Sequence, residues 1–207
     1  MKEIDFWFSI GSTYSYLSIM RLDDVARAEG VSFRWRPFNV RPIMIEMENR
    51  PFIGKPAKAA YMWRDIERRA AMYGIPAKLP APYPLEELEF ANRVAVIGAD
   101  EGWCEDYVHA TYVRWFQQGE PAGVEPNLTG SLQDIDQDAE RVIAHARSPE
   151  IGAALEEVTE EAKALGIFGS PTYVVDGELF WGDDRLEDAV RWRRTGSLTA
   201  RGAQASA

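Results

Sequence analysis

Residues 6–20 read FWFSIGSTYSYLSIM, and this stretch decides the fold. Ser9, Ser12, Thr13, Tyr14, Ser15 and Tyr16 crowd hydroxyls into the joint between an apolar run and a helical pattern. The run itself, "EIDFWFSI", is rich in β-formers and predicts a buried strand. From Thr13 onward Leu17, Met20, Leu22, Val25 and Ala26 give a broad helical face, which Gly30 ends. "VSFRWRP" then alternates: Val31, Phe33 and Trp35 point one way, and Ser32, Arg34 and Arg36 the other. Pro37 closes that strand. Strand, helix and strand in this order predict a βαβ unit with the hydroxyls at its first turn.

Further along, the pattern is helical. Pro56 to Gly74 carries Met62, Ile66, Ala70 and Tyr73 on one face. "PLEELEFANRVAVIGADEG" opens with Pro84 and acids, a good helix entrance, and "WCEDYVHATYVRWFQQG" is amphipathic. Ser131 opens "SLQDIDQDAERVIAHA", with Asp134 three residues on as a variant capping box. Ser148-Pro149 opens another helix, whose stripe is Ile151, Leu155, Val158, Ala162 and Leu165, with Gly166 as its stop. The character changes again in "SPTYVVDGELFWGDDRLEDAVRWRR". There "TYVV" and "ELFW" flank Asp176-Gly177, a two-residue hairpin signal, and Asp183 or Asp184 begins a last helix. Strands at both ends with helices between them predict an α/β fold: one β-α-β…β-β-α sheet, interrupted by a large all-helical insertion. The parts fall at 1–40, 41–166 (the insertion) and 167–197, with 198–207 as a flexible tail.

Composition limits the chemistry. The 207 residues are 46% hydrophobic, enough for a real core, and carry a net charge of −10. An acidic total argues against nucleic acid or an anionic membrane as partner. No stretch approaches the roughly 20 apolar residues of a membrane span, and "MKEIDFWFSI" has no leader-like pattern, so a soluble cytoplasmic protein is expected. One cysteine, Cys104, and two histidines, His109 and His145, argue against a disulfide, a metal site and His-based catalysis. Cys104, beside Trp103, reads as a buried bystander.

Three short motifs each have two readings. Ser12 and Thr13 cap a helix, or a hydroxyl there donates to an anion such as a thiolate. Ser170-Pro171 in "GSPT" starts an edge strand, or forms a cis peptide that opens backbone groups to a ligand. Asp183, Asp184 and Arg185 in "GDDR" cap the last helix, or grip both charges of an amino-acid zwitterion. Spacing alone does not choose between them.

Taken together, "DFWFSIGSTYSYL", "ENRP", "KAAYMWRDIERRAAMYGIP" and "GIFGSPTYVVDGELFWGDDRL" resemble the 2-hydroxychromene-2-carboxylate isomerases and the similar kappa-class glutathione transferases, over about residues 3–195. The resemblance implies a DsbA-like thioredoxin fold with a helical insertion, glutathione as cofactor, a small aromatic carboxylate as substrate, and a homodimer. It puts the thiol-activating residue on Ser12, where redox relatives carry the first Cys of Cys-x-x-Cys; "STYS" has no sulfur here. It puts glutathione contacts on Asn49, Lys58, the backbone of Ser170 before the cis residue Pro171, and Asp184-Arg185, with Asp183 counted beside them. It implies reversible thiolate addition, which isomerises the substrate; lasting addition, as in a transferase, and thiol-peptide binding without chemistry are the alternatives. The chain departs from the family's usual Asp, bulky residue and Pro at Ser9, Gly11 and Thr13. These changes border the thiol pocket and bear on the substrate.

Overall fold

The computed structural model describes residues 2–49, 52 and 54–199. Strand β1 (Lys2–Phe8) runs parallel to β2 (Val31–Pro37), with Ile4 opposite Phe33 and Phe6 opposite Trp35. Strand β3 (Thr172–Val175) pairs antiparallel with β1, and β4 (Glu178–Trp181) antiparallel with β3, giving the order β2-β1-β3-β4. Asp176 and Gly177 turn the hairpin with φ of 51° and 85°, the double positive φ that a two-residue hairpin turn requires. A parallel pair needs a crossover, and α1 (Ser15–Ile19) with α2 (Leu22–Glu29) supplies it. Between β2 and β3 come α3 (Val40–Glu46), α4 (Pro56–Tyr73), α5 (Leu88–Glu101), α6 (Cys104–Val113), α7 (Asn127–Gln133), α8 (Ala139–Ala146) and α9 (Pro149–Ala164). A π turn, Arg114–Gln118, prolongs α6. After the hairpin, a 3-10 turn over Asp183–Arg185 leads into α10 (Leu186–Thr195). This is the thioredoxin-like arrangement with helices inserted between its halves.

Both faces of β1 are covered from Phe6 to Phe8, where the strand is apolar. Ile4, Phe6 and Phe8 enter one core with Tyr173, Leu186 and the inserted residues Met62, Ala91, Tyr107 and Tyr112. Trp7 turns to the other face, into a smaller core with Phe38, Val40, Ile43, Ala162 and Ile167. Each such side chain contributes about 1.5–3 kcal/mol by leaving water. The sheet and the inserted helices therefore meet through a shared apolar interior, and the joint after β1 lies between them.

Local readings differ from the structure in three places. The first helix begins at Ser15, not Thr13, and breaks at Met20-Arg21. Thr13 is buried with its hydroxyl on the Met62 sulfur at 3.0 Å, while Arg21 reaches Asp183 at 2.9 Å and lies over the Tyr73 ring. Second, the helix expected from Pro84 begins at Leu88, because Leu85 is buried and its carbonyl is held by Arg41. Third, Ser131 opens no helix. It lies inside α7, donating to Asn127 at 2.9 Å, and Asp138 caps α8 instead. The tail expected over 198–207 lies, from residue 200 on, outside the described residues.

Candidate active site

Residues 9–14 join β1 to α1 and are clamped from two sides. On the first side stands the Ser170-Pro171 loop, whose peptide bond is cis. The Ser9 N–H donates to Ser170 Oγ at 2.8 Å, and the Ser12 hydroxyl donates to the Ser170 carbonyl at 2.7 Å. Ser15 Oγ lies 2.9 Å from Ser170 Oγ. Ser12 Oγ also accepts the Ser15 N–H at 3.4 Å, so the capping reading holds only weakly. Because α1 is a single turn, it carries little macrodipole, and the hydroxyl is the stronger donor at this point.

The second clamp comes from the inserted helices. Asn92 of α5, fully buried, accepts the Ile10 N–H at 2.8 Å and donates to the carbonyls of Ile10 and Leu88 at 2.9 and 2.7 Å. It pairs with Ile10 as a neighbouring strand would. Tyr112 of α6 points its hydroxyl at the carbonyls of Ser12 and Ser9, 3.0 and 3.3 Å away. Burial pushes the Tyr112 phenol well above its usual range, which keeps it a neutral donor. Gly11 has φ of 129°, and a Cβ there would lie 3.3 Å from Leu88. The sequence reading missed Asn92 and Tyr112. The available signal is an Asn on the apolar stripe of "FANRVAVIG", since a buried amide must be paired.

The structure brings together Ser12, Ser170 and Pro171. It carries Asp184 and Arg185 on the turn just beyond β4, which is tied to the same loop by the Gly182 N–H on the Pro171 carbonyl at 2.9 Å. Both side chains are about half exposed, and Arg185 contacts Asp188 at 3.1 Å and Asp184 at 3.5 Å. Asp183 differs from the expectation of a ligand contact. Its side chain is 2% exposed, and the protein itself uses the carboxylate: Arg21 at 2.9 Å, Ser18 at 3.1 Å and the Tyr73 hydroxyl at 3.4 Å donate to it. Burial raises its carboxyl above the ordinary range despite Arg21 beside it. Asp183 anchors the turn that presents Asp184.

On the opposite flank, Lys58 is exposed on α4, one turn before the Met62 that touches Thr13. Its ammonium lies 5.7 Å from the Phe52 ring centre. Asn49 is exposed just after α3, with its N–H on the Met44 carbonyl. An aromatic wall links this flank to α1. Tyr16 stacks on Phe116 at 4.2 Å, Phe116 meets Trp63 at 6.3 Å, Trp63 meets Tyr83 at 6.0 Å, and Tyr83 meets Phe52 at 5.9 Å. Tyr14 donates to Asp65 of α4 at 3.1 Å. Cys104 is fully enclosed, and burial raises its thiol. Among the described residues no His, Cys, Asp or Glu group could hold a metal ion.

The rim is neutral and hydroxyl-lined, and the chain's relatives identify its family. Residues 3–191 match the model of the DSBA-like thioredoxin domain. A 2-hydroxychromene-2-carboxylate isomerase of Sphingobium xenophagum is 31% identical over 90% of this chain and 95% of its own. Glutathione s-transferase kappa 2 of Caenorhabditis elegans is 26% identical over 89% of this chain and 88% of its own. A solved 2-hydroxychromene-2-carboxylate isomerase superposes with a TM-score of 0.81 at 25% identity, covering 96% of this chain and 100% of that one. The chain belongs to the DSBA-like thioredoxin domain family and, within it, to the 2-hydroxychromene-2-carboxylate isomerase family.

Proposed function

We propose that this protein is a glutathione-dependent isomerase. It interconverts a 2-hydroxychromene-2-carboxylate-type compound and a trans-o-hydroxybenzylidenepyruvate-type compound. The observation that carries the reading is the Ser12 hydroxyl, held 2.7 Å from the Ser170 carbonyl on a loop with no cysteine of its own. When bound, glutathione supplies a nucleophilic sulfur that adds reversibly to a double bond conjugated with a carbonyl. The residues present fit that group. Asp184 and Arg185 match the two charges of an amino-acid end, and Lys58 and Asn49 suit a carboxylate end. Ser12 keeps its own proton and donates it as a hydrogen bond, so no histidine base is needed. A free thiol ionises near pH 8.5, and stabilising its anion by about 1.4 kcal/mol lowers that by one unit. The partly buried rings of Trp63, Tyr83 and Phe52 offer apolar edges and faces for the substrate ring.

A homodimer and a cytoplasmic setting belong to the same reading. Among the described residues no helix is long and apolar enough to cross a membrane. The kappa-class relatives favour one alternative, a transferase. Net consumption of glutathione identifies that chemistry, and binding with no turnover identifies a non-catalytic thiol-peptide binder.

The decisive variant is Ser12→Ala. We expect kcat to fall by about 10²–10³, the usual loss on removing one anion-stabilising donor. Stability changes by about 1 kcal/mol or less. Full activity in a folded Ser12→Ala protein, with glutathione still ionised at neutral pH, overturns the proposal.

A further inference from the structure

We infer that Arg41, with Tyr83 beside it, is the subsite for the substrate's carboxylate, and that it makes the site select acids over neutral enones of the same shape. This rests on the isomerase reading and names the residue that holds the substrate end away from the ring. Arg41 is tied to the site at both of its ends. Its backbone N–H donates at 3.1 Å to Asn39, which caps α3, and the neighbouring Val40 N–H donates to Ser9 Oγ at 3.3 Å. Its guanidinium donates to the Leu85 carbonyl at 2.8 Å, three residues before the Leu88 that faces Gly11. The side chain therefore joins α3 to the segment that packs on the loop after β1.

That bond leaves the rest of a planar fork of donors, which fits a carboxylate. Among the described residues Arg41 forms no ion pair, whereas Arg64, Arg68 and Arg69 of α4 are each paired with Glu67 or Asp65. Tyr83 is close enough to feel the open charge: burial raises its phenol, and Arg41 opposes that rise. The Tyr83 ring meets Phe52 at 5.9 Å and Trp63 at 6.0 Å, and the Lys58 ammonium lies 5.7 Å from Phe52. Two open cations thus border one patch of partly buried rings. Lys58 serves the peptide's carboxylate in the isomerase reading, which leaves Arg41 for the substrate's. With a net charge of −10 the protein repels an anionic substrate at long range, so a local cation has to hold it. In a benzylidenepyruvate the reacting double bond lies between ring and carboxylate. Holding the ring on the aromatic patch and the carboxylate on Arg41 fixes the carbons between them. Arg41 forms and breaks no covalent bond.

The test compares two acceptors on the intact protein: trans-o-hydroxybenzylidenepyruvate, and trans-o-hydroxybenzylideneacetone, in which a methyl group replaces the carboxylate. Calorimetry is run with S-methylglutathione present, which fills the peptide site and has no thiol to add. Wild type should bind the acid about 10- to 100-fold more tightly than the ketone, the range of a charged hydrogen bond. Arg41→Gln keeps an N–H for the Leu85 carbonyl and loses the charge. It should bind the acid about ten-fold or more weakly and the ketone as wild type does. Arg41→Lys should restore part of the preference. In turnover with glutathione, Arg41→Gln should raise KM for the acid far more than it lowers kcat, and glutathione affinity should not move. An Arg41→Gln protein that binds the acid as wild type does, or that loses acid and ketone alike, overturns the subsite. Should wild type bind glutathione and neither acceptor, the isomerase reading itself falls and takes the subsite with it, a failure distinct from the other two.

Discussion

Two regions border α1, the Ser12 loop and an acidic cleft, and their chemistry is opposite. The rim at Ser12 is built from neutral donors: the hydroxyls of Ser12, Ser15 and Ser170, with Asn92 and Tyr112 behind them. The other is a cleft of about 400 Å³ between α1, α2, β2 and α6, and it is lined by Asp23, Trp35, Glu105, Asp106, His109 and Asp134. The cleft offers room, but four carboxylates repel an anion. The rim, with donors and no carboxylate of its own, can stabilise one. Donor type, not cavity size, supports the proposed thiol site. The contrast extends to the supports. The rim is held by uncharged hydrogen bonds, whereas the cleft contains Glu105, whose carboxyl is raised well above its ordinary range.

The largest break in this comparison should come from Asn92→Leu. The substitution keeps the volume and removes the partner of the Ile10 N–H and carbonyl, 82 residues away in sequence. Two buried backbone groups left unpaired cost about 1–3 kcal/mol each, so a loss of roughly 2–6 kcal/mol is expected in denaturant titration. If the rim depends on this clamp, any folded fraction should also fail to lower the thiol pKa of glutathione. Wild-type stability in Asn92→Leu breaks the claim that α5 sets the loop.

A smaller effect is expected from Asp183→Asn. The amide keeps the shape and loses the charge facing Arg21, which is itself 12% exposed. Glu187, 2.5 Å from Arg21, remains to offset the guanidinium, so about 2–3 kcal/mol should be lost rather than the 3–5 of a fully orphaned pair. Because Asp183 acts through the turn that presents Asp184, glutathione affinity should weaken while the pKa of whatever thiol binds stays low. A variant that loses ionisation but keeps affinity contradicts that division of roles.

These residues also show what a sequence can disclose. Period-two and helical patterns, Gly30 and Gly74 as helix stops, and Asp176-Gly177 between two strands are local signals, and the elements form where they predict. The role proposed for Ser12 comes from the resemblance, while its position at the strand-to-helix joint is legible in the sequence. Asn92 and Tyr112 were not, since their partners lie 82 to 103 residues away and no spacing encodes such a bond. Asp183 and Asp184 are adjacent acids on one turn. Which of them faces inward depends on Arg21 and Ser18 arriving from α1 and its break, which the local pattern joined into one continuous helix.

The smallest effect tests the cleft. The hydrogen bond that the protonated Glu105 carboxyl donates to Asp23, together with partial burial, pushes its pKa from 4.5 up to about 7, with Asp106 adding repulsion and Trp35 opposing it. A folded pKa above the unfolded one means the native state prefers the protonated carboxyl. Its stabilising contribution is complete below about pH 4.5 and is lost as pH rises through about 7. Thermal midpoints should therefore fall modestly between about pH 5 and pH 8. Glu105→Gln stays neutral throughout and keeps a donor for Asp23, so it should flatten the fall and leave glutathione ionisation at Ser12 unchanged. Ser12→Ala should do the reverse, removing ionisation and preserving the slope. If Glu105→Gln instead abolishes thiol activation, the two regions are coupled through α1, and their separation is wrong.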